Sequence, residues 1–149
     1  GGVVMSLLLP LLSVNVNTSI LPEEIGRRID LSKAAGLMTA DFPLTGVGLG
    51  NFIVRLPEYG AAPQVSWWLQ PVHNIFLLIL SETGLIGLGF TIWFLLQILK
   101  KLPTTNYILP TTLLVILMTG MADHYWLTLQ QGQLLATIII GASFSATIK

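Results

Sequence analysis

The chain has 149 residues, of which 53% are apolar and 9% charged, with a mean hydropathy of +0.78 and no net charge. That is the profile of a membrane protein, and its adjacent lysines are too few to form a basic patch, so no nucleic-acid partner is expected. The lack of cysteine excludes a disulfide framework and a thiolate nucleophile, and two histidines without cysteine give no zinc spacing, so no metal or cofactor is expected.

Residues 1–14, GGVVMSLLLPLLSV, carry no basic n-region and are too short to cross a bilayer core that needs about 20 helical residues. They read as the end of a truncated transmembrane helix. The chain is therefore expected to be the C-terminal portion of a longer polytopic protein, inactive by itself.

Residues 15–72 are mixed in polarity and hold Glu23, Glu24, Asp30, Asp41 and Glu58, which places them outside the membrane as a loop. Within the loop a short amphipathic helix is expected over about residues 30–40, with Ile29, Ala34, Leu37 and Met38 largely on one side. It would lie on the membrane surface or dock on the bundle. Asp41-Phe42-Pro43 stops it, because proline disfavours helical geometry in the residue before it. In LTGVGLGNF, Gly46, Gly48 and Gly50 permit close approach and positive φ. No Walker lysine follows, and a third dinucleotide-type glycine is missing, so a structural turn is the stronger reading.

Three apolar segments follow, at about 74–99, 105–122 and 125–148. The expected fold is thus an all-α polytopic membrane protein: a three-helix transmembrane region over 73–149, a truncated N-terminal helix, and a loop containing an amphipathic helix. The middle segment is short for a span at 1.5 Å per residue. Lys100, Lys101 and Lys149 close the first and last spans, and the positive-inside rule puts those ends in the cytoplasm. The long loop and Asp123-His124-Tyr125-Trp126 then share the external face.

PVHNIFLLILSETGLIGLG, residues 71–89, holds the most informative polar groups. His73 and Asn74 sit where the loop meets the first span, near Trp67 and Trp68, whose rings suit a membrane interface. His73 reads either as a histidine that hydrogen-bonds at a helix start or as a general base at the mouth of a membrane cavity. Glu82 lies about 13 Å deeper and roughly half a turn around, so the two side chains should not meet. A carboxylate there must face protein, pair or carry a proton, and it is either a packing anchor or part of a site. Gly84, Gly87 and Gly89 would let a neighbouring helix come close. Arg27, Arg28 and Arg55 are either solvated charges or phosphate ligands, for which guanidinium geometry is suited. Asp123 and His124 are either helix caps or partners of His73.

In order, Arg28-Ile-Asp-Leu-Ser-Lys-Ala-Ala, Asp41-Phe-Pro-Leu-Thr-Gly-Val-Gly-Leu-Gly-Asn-Phe, His73-Asn-Ile-Phe-Leu, Glu82-Thr-Gly-Leu-Ile-Gly, and Asp123-His-Tyr with Gln131-Gly132 resemble the C-terminal portion of the bacterial O-antigen ligase and polymerase family. The resemblance covers most of the chain from about Arg27, and it rests on the order and spacing of several motifs. It implies a multi-pass inner-membrane glycosyltransferase with loop 15–72 in the periplasm. Such an enzyme moves a glycan from an undecaprenyl-diphosphate carrier to an acceptor hydroxyl, on lipid A core for a ligase or on another lipid-linked glycan for a polymerase.

By motif position the resemblance implies that His73 takes the catalytic role and Arg28 the diphosphate, with Arg55 and Arg27 as further diphosphate-binding candidates. Asn74, Glu82, Asp123 and His124 are supporting candidates. A sugar hydroxyl attacking an anomeric carbon needs a base, and a departing diphosphate needs charge stabilisation more than a metal. Two further classes stay open: a transporter or flippase component, for which an intramembrane glutamate is ordinary, and a structural membrane subunit.

Overall fold

A computed structural model describes residues 23–59, 70–101 and 108–145. The expected truncated helix at 1–14, the interfacial Trp67 and Trp68, and Lys149 lie outside them. The elements are α1 (Glu23–Asp41), α2 (Phe52–Arg55) with a following 3-10 turn (Leu56–Tyr59), α3 (Ile75–Lys101), α4 (Ile108–Ala122), α5 (Tyr125–Thr128) and α6 (Gln130–Ser145). Among the described residues every regular element is helical.

The loop helix begins earlier than its spacing suggests. Glu23 and Glu24 occupy the first turn of α1, where carboxylates favour the positive end of the helix dipole. Its buried stripe is Leu31, Ala34, Ala35 and Met38, an i, i+3, i+4, i+7 pattern, whereas Leu37 is 42% exposed. The stripe docks on protein, forming one core with Phe52, Leu56, Val72 and Leu78. The two alanines bring the α1 backbone close, and each large side chain sealed in this core contributes about 1.5–3 kcal/mol.

Asn74 starts α3. Its Oδ1 accepts hydrogen bonds from the amides of Phe76 and Leu77, both at 3.0 Å, satisfying two donors that a helix start leaves open. Residues Ile75–Lys100 form one helix long and apolar enough to cross a membrane, and the apolar stretch Pro110–Ala122 of α4 is shorter. Beyond its first turns α3 exposes Leu85, Ile86, Phe90, Ile92, Trp93, Phe94 and Leu96, a surface poorly suited to water.

The first apolar segment is not one regular helix, because Gly84 (φ 66°, ψ −166°) breaks it. An unbroken helix would bond the Leu85 amide to the Ser81 carbonyl and the Ile86 amide to that of Glu82. Here Leu85 N donates to Pro43 O (2.8 Å) and Ile86 N to Leu44 O (3.2 Å). The freed carbonyls of Ser81 and Glu82 accept the amides of Val47 and Gly48, each at 2.9 Å. The glycine loop is spliced into the helix, and four hydrogen bonds replace two.

The contact is backbone to backbone. A Cβ on Gly84 would overlap the Leu44 carbonyl, and one on Gly46 (φ 65°) would overlap that of Glu82. Gly84 therefore admits a loop and not a neighbouring helix, while nothing lies near the Cβ position of Gly89.

The third expected span is also divided. Leu129 is extended (φ −95°, ψ 134°) and separates α5 from α6. The freed Leu127 carbonyl accepts from the side-chain amide of Gln133, and the bend folds the Tyr125 carbonyl against Gly132, where a Cβ would sit only 2.5 Å from that oxygen.

Candidate functional site

The splice accounts for Glu82. The residue is 8% exposed, and its two carboxylate oxygens accept separate backbone amides, Gly50 N at 3.0 Å and Phe52 N at 3.1 Å. Buried carboxylates are tolerable when donors are aimed at them, and these two donors fix the end of the glycine loop and the start of α2. Because Val47, Gly48 and Gly50 already direct their amides at Ser81 and Glu82, those donors are not free to cradle a phosphate.

Glu82→Gln would turn an amide NH2 toward one of the two donors. Thermal unfolding followed by circular dichroism is expected to show a loss of about 1–3 kcal/mol. An unchanged melting temperature would show that the carboxylate does not hold the loop.

A second cluster forms where the start of α3 meets the end of α4. Gly120 of α4 lies against the Ile75 side chain, which brings His73, just before α3, to Asp123 and His124, just after α4. His73 Nδ1 is 3.7 Å from Asp123 Oδ1, and His124 Nε2 is 4.0 Å from the same oxygen. The two imidazole centroids are 5.1 Å apart. Asp123 Oδ1 also accepts the His124 amide at 2.7 Å, which fixes the carboxylate between the rings. His73 Nδ1 is buried and has no hydrogen-bond partner, since 3.7 Å is beyond hydrogen-bonding range.

Thr128, one turn after His124, anchors that ring: its Oγ1 lies 2.7 Å from His124 Nδ1 and 3.1 Å from the His124 carbonyl. Nε2, the other ring nitrogen, faces Asp123. His124 is buried, and burial holds its pKa below the usual histidine value; Asp123 opposes this, while His73 and Arg28 add to it. The cluster thus sets two imidazoles beside one carboxylate.

Arg28 reaches the same place from α1. Its Nη1 donates to the Ala122 carbonyl at 3.1 Å, at the C-terminal end of α4, where a cation complements the helix dipole. Arg55, the last residue of α2, instead pairs with Glu58 of the following 3-10 turn (2.9 Å), both side chains being exposed. Asn74 is engaged as the cap of α3. The fold thus joins Arg28, His73, Asp123 and His124, and it ties Glu82 to the glycine loop.

Thr128 was not among the sequence candidates. A threonine four residues after a histidine is the available signal, and it has meaning only once both are known to share a helical turn. A cavity of about 640 Å³ runs along α3, lined largely by apolar side chains such as Leu49, Ile53, Leu78, Ile79 and Leu127; Glu82 is the charged residue in its wall, and Thr128, which contacts His124, lies there too. Comparison with family models, characterised proteins and solved structures finds no match to the chain.

Proposed function

We propose that the chain forms the C-terminal part of a multi-pass bacterial inner-membrane glycosyltransferase of the O-antigen ligase type. It would transfer a glycan from undecaprenyl diphosphate to an acceptor hydroxyl at the periplasmic face. The observation that carries the reading is the meeting of Arg28, His73, Asp123 and His124, which come from three separate stretches of sequence, at one end of the long apolar helix.

His73 takes the proton of the attacking hydroxyl as the new glycosidic bond forms at the anomeric carbon and the bond to the carrier diphosphate breaks. Arg28 is the candidate to stabilise the charge left on the diphosphate, exchanging the Ala122 carbonyl for a phosphate oxygen. Arg27 and Arg55 are the auxiliary candidates. The apolar cavity along α3, linked to the cluster through Thr128, suits a polyprenyl chain. A polymerase of the same family would use the same groups with a second lipid-linked glycan as acceptor. The transporter reading draws on Glu82, and both oxygens of that carboxylate are already engaged by loop amides, which leaves it less support.

The test is transfer by the intact protein in membranes supplied with an undecaprenyl-diphosphate glycan and, separately, lipid A core or a second carrier-linked glycan. Product on lipid A core is the expected result. Elongation of carrier-linked glycan alone would assign the polymerase reaction, and carrier movement across the bilayer without transfer would overturn the enzyme reading.

A further inference from the structure

The His73, Asp123 and His124 cluster has the composition of a transition-metal site, and it is not closed by its own hydrogen bonds. One donor atom from each of the three residues lies within 4.8 Å of the others. Donors around a tetrahedral zinc ion, at about 2.0–2.1 Å from it, stand roughly 3.4 Å apart, so small side-chain rotations would close the set. The distances from Asp123 Oδ1 to the two rings, 3.7 and 4.0 Å, already approach that value.

Three features point from cluster to ligand set. His73 Nδ1 is a buried polar atom without a hydrogen-bond partner, and Asp123 Oδ1, at 3.7 Å, is too far to bond it. His124 turns Nε2 toward Asp123 while its Nδ1 is engaged by Thr128 Oγ1 at 2.7 Å, the arrangement by which a hydrogen bond behind an imidazole orients a metal ligand. Asp123 is held by the His124 amide between the two rings. The nearby cation, Arg28, is drawn onto the Ala122 carbonyl.

We infer that His73 Nδ1, Asp123 Oδ1 and His124 Nε2 form a binding site for a divalent transition-metal ion of zinc type, with a fourth position left to water. Two nitrogens and one carboxylate oxygen select borderline metals over magnesium or calcium, which take mostly oxygen. The sequence does not announce the site because its histidines are far apart in the chain, whereas zinc motifs are read from short spacings. A bound ion would clasp the start of α3 to the corner after α4.

The inference does not draw on the transferase reading and competes with it for His73, because an imidazole that ligates through Nδ1 carries its proton on Nε2 and is no general base; the test therefore reads metal directly. Intact protein, purified in detergent and stripped with chelator, is titrated with Zn²⁺ against a chromophoric competitor, and Co²⁺ is added in parallel as a spectroscopic probe. One saturable site per chain is expected, with intense tetrahedral Co²⁺ bands. His73→Ala and His124→Ala should each weaken binding at least tenfold, as should Asp123→Asn. Thr128→Val, which touches no metal, should weaken it about 10–100-fold by releasing the His124 ring. Should an alanine variant fail to fold, Asp123→Asn and Thr128→Val still decide. No saturable Zn²⁺ binding, or an affinity unchanged in both of these variants, would overturn the site.

Discussion

Gly84→Ala is expected to destabilise the protein by more than about 4 kcal/mol, the far end of what single substitutions do. The direction is the informative part. In a continuous helix, exchanging glycine for alanine stabilises by about 1 kcal/mol, because glycine has more backbone entropy to lose. At Gly84 the φ of 66° is a conformation that L-residues resist, and the added Cβ would overlap the Leu44 carbonyl.

Relief of that overlap has to expel residues 43–48, releasing the four splice hydrogen bonds and uncovering the buried Glu82 carboxylate. Gly46→Ala should act alike from the loop side, as its Cβ would meet the Glu82 carbonyl. Gly89→Ala, on the same helix with nothing near its Cβ position, is the control and should be neutral or stabilising. Melting curves of the three variants, followed by far-ultraviolet circular dichroism in detergent, provide the check. A Gly84→Ala protein as stable as Gly89→Ala would mean that α3 is unbroken.

If the proposed transferase function holds, His73→Ala reduces glycan transfer about 10²–10⁴-fold, the range associated with loss of a positioned general base. On that proposal the loss should fall on kcat with KM for the carrier little changed, since the imidazole would act on the acceptor hydroxyl and Arg28 would hold the diphosphate. Folding should persist, because Asn74 and not His73 supplies the cap of α3. Rates from a transfer assay, with circular dichroism on the same preparations, separate the two effects. A variant within threefold of wild type would remove His73 from the chemistry and leave Asp123 or His124 to explain the cluster.

Much of the architecture is written in local pattern. Helical character follows from apolar runs, the start of α3 from an asparagine able to cap, and the stop of α1 from Asp41-Phe42-Pro43, since each depends on residues a few positions apart. The positions of the two large apolar helices were legible for the same reason. Even Glu82 could be seen as needing an internal partner, because an unpaired carboxylate in an apolar segment is costly.

The identity of that partner was not legible. It is a pair of amides some thirty positions earlier in the chain, and backbone donors carry no sequence label. The break at Gly84 is hidden likewise: glycine in an apolar helix is common, and only a loop bringing its own carbonyls and amides decides that the ladder opens there. The division of the last segment at Leu129 rests on Gln133 and Gly132 receiving a bend, which again is a tertiary event.

By itself, then, the sequence determined a helical, strongly apolar chain with polar groups gathered before and after its apolar segments. The tertiary structure decided which of those groups meet. Composition and periodicity report the average environment of a stretch, whereas a site depends on distances of a few ångströms between atoms remote in sequence. Here the meeting of α3 with α4 puts His73 against Asp123 and His124, and α1 brings Arg28 beside them, while Arg55 is left to its own salt bridge with Glu58.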